Sequence, residues 1–225
     1  MSDLPVTSRE LMRWSEALAG VARTGLGFTQ SLYEQERFEE ILKIAADMRV
    51  AADGRFAADE LVSEWMKHLG LGVAGYVTPK VAVGAVVGNE AGEILLVKRA
   101  DSGIWLYPTG WADVGYSASE VVIKEVKEET GIDCRPERLI AVPDGPRLGF
   151  TTIPLYSLVF HCRFTGGEPT AHPLECAEVG WFAEDALPEP LAGLHIWGPT
   201  AFAAIRGELR DVHFDAPRVA TWRES

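Results

Sequence analysis

Residues 110–132, GWADVGYSASEVVIKEVKEETGI, constrain the fold of this chain more than any other stretch: a polar, glycine-bearing loop runs into an amphipathic helix crowded with carboxylates. Counting about 100° per residue from Glu125, Glu128 falls at about 300° and Glu129 at about 40°, so three acids share an arc of about 100° on one flank. Like charges three or four residues apart cost about 0.2–0.5 kcal/mol per pair in an isolated helix. A hard cation that collects oxygen ligands would give such a cluster a purpose. Val122, Val126 and Ile123 fall at about 60°, 100° and 160°, an apolar stripe beside the acids. The helix is therefore expected to bury that stripe while its carboxylates face a cleft.

The stretch resembles the box of the Nudix hydrolase family, G-x5-E-x7-R-E-U-x-E-E-x-G-U with U aliphatic. It begins at Gly110 and matches at Glu125, Val126, Glu128, Glu129, Gly131 and Ile132. Two positions depart: Tyr116 stands for the first glutamate and Lys124 for the arginine, while Thr109-Gly110 replaces the usual Gly-Gly. EILLVKR at 93–99, then Trp105 and Pro108, stand where the family has their counterparts. The resemblance implies an α+β fold, an α/β/α sandwich with a mixed sheet, over residues 75–215, with 216–225 as a tail.

Residues 1–74 read as a small helical domain. Thr7 with Glu10 has the form of a capping box ahead of Leu11, Trp14, Leu18 and Val21, and Gly25 and Gly27 are expected to end that helix. Ser31 with Glu34 repeats the signal before Phe38, Ile41, Leu42, Ala45 and Met48, and a third helix is expected through Leu61, Trp65 and Leu69. RTGLGF at 23–28 and YEQERFEEILKIAADM at 33–48 resemble the N-terminal domain of those Nudix enzymes that act on nucleoside diphosphates linked to a further moiety, the CDP-choline pyrophosphatase-like subset. The apolar stripes of three thin helices predict an interface, and a homodimer is expected. A helix-turn-helix DNA reader is disfavoured, because acids outnumber bases along the second helix.

Composition narrows the function classes. A formal net charge of −12 argues against nucleic acid as a partner. The same charge opposes anionic substrates unless bound divalent ions reverse the local field. Cys134, Cys162 and Cys176 show no ligand spacing and read as reduced thiols. With no leader pattern and no apolar run of about 18 residues, no membrane is expected as a partner, and the expected location is cytoplasmic. Residues 70–75, GLGVAG, match GxGxxG but follow a helix and precede a strand, the reverse of a dinucleotide-binding order.

From Lys80 the period becomes that of strands. VAVGAVVGN, a turn over 89–92 and EILLVKR form a hairpin, and further strands are expected over 139–142, 153–164 and 178–182. A last helix is expected over 199–206. Trp105 is read as packing beneath the loop.

A pyrophosphate bridge resists hydrolysis because its charge repels the attacking water. Cations held by carboxylates counter that repulsion and acidify the water. Glu125, Glu128 and Glu129 are the candidate ligands for Mg²⁺ or Mn²⁺. By resemblance, the Thr109 carbonyl beside Gly110 completes the site and Arg99 meets substrate phosphates, although an ordinary strand-end cation would look the same. The family often takes its general base from a later loop, and Glu175 or Glu178 would supply it here. The expected reaction is hydrolysis of a nucleoside diphosphate conjugate, with CDP-choline or ADP-ribose leading. Because Tyr116 supplies no carboxylate, a ligand-binding or regulatory protein on the same scaffold stays open, as does an interaction protein in which the helical segment matters.

Overall fold

The computed structural model describes residues 6–67, 69, 77–113, 115–148, 151 and 153–217. The chain divides into two compact units, Met1–Pro79 and Lys80–Ser225. The GLGVAG stretch and the 74/75 boundary lie outside the described residues.

The first unit contains α1 (Ser8–Phe28), α2 (Leu32–Ala52) and α3 (Ala58–Met66). Glu10 N–H donates to Thr7 Oγ1 at 3.2 Å and Thr7 N–H to Glu10 Oε2 at 2.9 Å, so the expected capping box forms. Gly25 and Gly27 do not end α1, which runs through both to Phe28. Gly25 instead lets two helices approach: a Cβ there would overlap the Phe38 ring of α2. Ser31 caps α2 by position but not by its side chain; its N–H donates to Thr29 Oγ1 at 3.1 Å. Ala19, Ala22, Leu42 and Ala45 form the buried centre, with Phe38, Ile41, Val62 and Trp65 around it.

In the second unit, eight described strands form one mixed sheet: β1 (Lys80–Gly88), β2 (Ile94–Arg99), β3 (Trp105–Leu106), β4 (Thr109–Trp111), β5 (Asp133–Val142), β6 (Leu155–Gly166), β7 (Cys176–Phe182) and β8 (His213–Phe214). The order is β3-β2-β1-β6-β5-β8, with β4 added on β1 and β7 on β2. β1–β6 and β5–β8 are parallel and the other pairs antiparallel. Among the described residues the unit is completed by α4 (Ala118–Thr130), the short α5 (Gly145–Leu148) and α6 (Leu194–Ile205).

β1 is buried on both faces, which is why it reads as a continuous apolar run. Val83, Ala85 and Val87 pack with Val121, Val122 and Val126 of α4. Val86 faces the other way, into a cluster holding Trp197, Ala201 and Phe202 of α6. One helix on each face makes the sandwich that the resemblance implied.

Further boundaries differ from expectation: α3 stops at Met66 short of Leu69, and β5 begins at Asp133 rather than Leu139. α6 begins at Leu194 rather than Pro199, because burial of Trp197 and an indole bond from its Nε1 to Ala192 O at 2.6 Å hold a turn that the proline's missing N–H would not by itself favour. The chain near Phe214, which carries no sequence signal, forms β8 against β5 and is tied down by Asp215 Oδ2, which accepts from Asp144 N–H at 2.6 Å.

Candidate active site

The site forms where α4, β4, the end of β2 and the start of β7 meet. Ser117 opens α4 with a capping box, its N–H donating to Glu120 Oε2 at 2.7 Å. Glu120 is thus engaged at the cap. Gly131, at φ 71°, closes the helix.

The buried face of α4 is rotated from the expected one. Val121, Val122 and Val126 are buried, whereas Ile123 is 40% exposed. Val121 lies at about 320° on the scale used above, so the apolar arc encloses Glu125 and Glu129 instead of standing beside them. Glu129 is buried, at 5% exposure, because Thr109 N–H donates to its Oε2 at 3.0 Å. Glu125 is half-buried against β4, where a Cβ at Gly110 would fall on its carboxylate. Glu128, with its side chain 56% exposed, turns to the rim, 3.9 Å from Lys124 Nζ.

Burial pushes the Glu129 carboxyl up to about 8; the Thr109 N–H opposes the rise, Glu125 and Glu175 add to it, and Arg99 opposes it. Glu125 is raised by burial, against Lys124, with Glu128, Glu175 and Asp113 adding to the rise. The metal-free fold therefore holds a proton that an unfolded chain, ionising near its ordinary value of about 4.3, does not. Between those pH values the folded state binds more protons, so stability falls as pH rises, by at most about 1.4 kcal/mol per pH unit for this group. In chelator, the thermal midpoint is expected to drop between about pH 5 and 8, and Glu129→Gln to flatten that drop in a melting series.

The strand pairing also sets the backbone donors. Ala85 N–H donates to Pro108 O at 2.9 Å and Ala112 N–H to Val81 O at 3.0 Å. By alternation Thr109, opposite Gly84, points its N–H and C=O away from β1. Its carbonyl thus lies on the side of Glu129.

Glu175 reaches the same place by a separate route. Thr170 N–H donates to Thr130 O at 2.8 Å and His172 N–H to Glu129 O at 3.2 Å, taking up carbonyls that the end of α4 leaves unpaired. Ala100 N–H then donates to Glu175 O at 2.8 Å, fixing this residue between α4 and β2. Glu178, exposed like Glu175, stands apart by its partner: it pairs across the strands with Lys98, Nζ to Oε1 at 2.6 Å. Arg99 closes β2 with its guanidinium forked onto Asp101 at 2.9 and 2.6 Å, a partner that sequence reasoning did not identify. Trp105 is buried edge-on to Phe182, a packing role as expected.

Among the described residues no three His, Cys, Asp or Glu side chains converge at ligand spacing. The donor set nevertheless fits a hard divalent ion: two carboxylates raised chiefly by burial, a third, Glu175, whose charge adds to both shifts, a carbonyl on the Glu129 side of β4, and a Gly110 cradle that a Cβ would fill. Neutralising the pair would remove the penalty that keeps Glu129 protonated. A Gly110→Ala variant is expected to displace the Glu125 carboxylate and weaken Mn²⁺ binding about tenfold, measured by titration.

Known proteins resemble this chain over both of its units. Residues 78–202 match the NUDIX domain family, and residues 9–58 match a family described as UDP-X-like, N-terminal oligomerisation domain. A Bacillus subtilis (strain 168) protein named "Putative ADP-ribose pyrophosphatase YjhB" is 34% identical over 176 residues, 77% of this chain and 81% of that protein. The crystal structure of a UDP-X diphosphatase superposes with a TM-score of 0.55 at 28% identity, covering 93% of this chain and 100% of the other. That of an ADP-ribose pyrophosphatase from Streptococcus suis 89-1591 gives 0.51 at 34% identity, over 61% of this chain and 100% of the other. With both the box-bearing unit and the helical segment before it accounted for, this chain belongs to the Nudix hydrolase family.

Proposed function

We infer that the chain is a Mg²⁺- or Mn²⁺-dependent pyrophosphohydrolase that splits a nucleoside diphosphate linked to a second moiety. The observation that carries this reading is the pairing of Glu125 and Glu129 against the Thr109-Gly110 backbone with Glu175 pinned beside them. ADP-ribose is the leading substrate, in line with the two relatives named for it, and UDP- and CDP-conjugates, CDP-choline among them, come next.

A divalent ion bound here would neutralise phosphate oxygens and acidify the attacking water. Glu125 and Glu129 would hold it from α4 and the Thr109 carbonyl from β4, with Glu128 at the rim. Glu175 takes the water's proton. Arg99, at the open end of β2, meets the substrate phosphates after exchanging Asp101 for them, a change that suits its planar fork. The similarity of residues 9–58 to an oligomerisation domain, with Val21, Phe28, Leu32, Tyr33 and Ile44 exposed on α1 and α2, supports a homodimer formed through the helical unit.

The test is a panel of nucleoside diphosphate conjugates incubated with Mg²⁺, with Mn²⁺ and with EDTA. Metal-dependent release of nucleoside monophosphate from at least one conjugate is expected. Tight binding without turnover would favour a regulatory scaffold instead, and neither binding nor turnover would leave only an interaction role.

A further inference from the structure

The two departures from the box, Tyr116 and Lys124, meet at one loop–helix junction through a third residue. Lys124 Nζ lies 2.8 Å from Asp113 Oδ2 and 3.9 Å from Glu128 Oε2. Tyr116 N–H closes a turn on Asp113 O at 3.4 Å, so the two residues stand at opposite ends of a single turn. Tyr116 is 58% exposed and has no acid to offer. Asp113, at the far end of that turn, aims its carboxylate at Lys124. Lys124 immediately precedes Glu125 and sits one helical turn before Glu128, and the charges of Asp113 and Lys124 reach Glu125 with opposite sign.

We propose that Asp113 takes over the duty of the acid missing at position 116: paired with Lys124, it is a positioning residue that pins residues 111–113 to α4 and holds Glu125 and Glu128 toward the divalent cation. The inference rests on the metal-dependent reading above. A lysine suits the arrangement, because a compact ammonium can be shared between carboxylates on two elements without the planar fork of arginine. The pair is partly exposed, with side chains at 36% and 49%. Its effect should therefore appear on the cation and hardly at all on folding.

Mn²⁺ affinity, followed by the electron-spin resonance of the free ion, reads this without any turnover. Asp113→Asn and Lys124→Met are each expected to weaken Mn²⁺ binding about tenfold, the low end for groups standing behind a metal ligand. The double variant should be no weaker than either single one, since both remove the same pair. Adding Tyr116→Glu to Asp113→Asn, which returns an acid to the other end of the turn, should recover affinity. Asp113→Asn binding Mn²⁺ within about twofold of the wild type overturns the inference. So does a loss that tracks a falling thermal midpoint and is not recovered by Tyr116→Glu. A wild-type protein that binds no Mn²⁺ overturns the metal-dependent reading itself, so the two failures are told apart by the wild type alone.

Discussion

Glu129→Gln is expected to lower turnover by at least about a hundredfold while the fold stays intact, because groups behind a metal ligand are already worth about 10–100-fold and this carboxylate is assigned as a ligand. Glutamine preserves the volume, and its amide oxygen can still accept from Thr109 N–H, so the buried contact survives without the charge. In metal-free protein above neutral pH the variant should be no less stable than the wild type, since burial and two neighbouring carboxylates disfavour the ionised form of Glu129. Turnover, Mn²⁺ titration and melting curves together check the prediction. Near wild-type turnover with unchanged metal dependence would remove Glu129 from the ligand set. Glu128→Gln should have the smaller effect of the two, because that side chain stands at the rim.

The second large effect separates two acids that lie three residues apart. Glu175→Gln is expected to cost about 10²–10⁴ in kcat, the range for a positioned general base, with little change in KM. Glu178→Gln should stay within about twofold, because it removes only an exposed pair with Lys98, worth little to the fold. Steady-state kinetics on both variants, with the best substrate from the panel, decides the assignment. Equal losses would mean that the connection before β7 rearranges when substrate binds and that neither residue is the fixed acceptor.

Much of this was readable from the residues because it depends on periods and caps. The capping box at Thr7 is local and forms in the structure, whereas the same signal at Ser31 yields a cap by position only. The strand-turn-strand from Lys80 to Arg99 is likewise a short-range pattern, found as β1 and β2. What escaped the sequence depends on the partner. The wheel of α4 fixes the angles of its side chains but not which arc the sheet covers, and the covered arc holds Val121 and leaves Ile123 exposed. Glycine spacing read as a helix stop at Gly25 when its purpose is room for a ring 13 positions later in the chain. What distinguishes Glu178 from Glu175 is the β2–β7 register, which sets Lys98 opposite Glu178 and which no local pattern carries. Asp113 and Lys124 are 11 residues apart, a separation that no helical or strand rule singles out.

The two hydrogen bonds by which Thr170 and His172 cover the end of α4 have a consequence for motion. They join the helix that carries Glu129 to the segment that carries Glu175, so withdrawal of one acid frays the seat of the other. Amide exchange at Thr170 and His172 should accordingly slow in concert when a cation is added, reporting a single opening event in place of two independent ones.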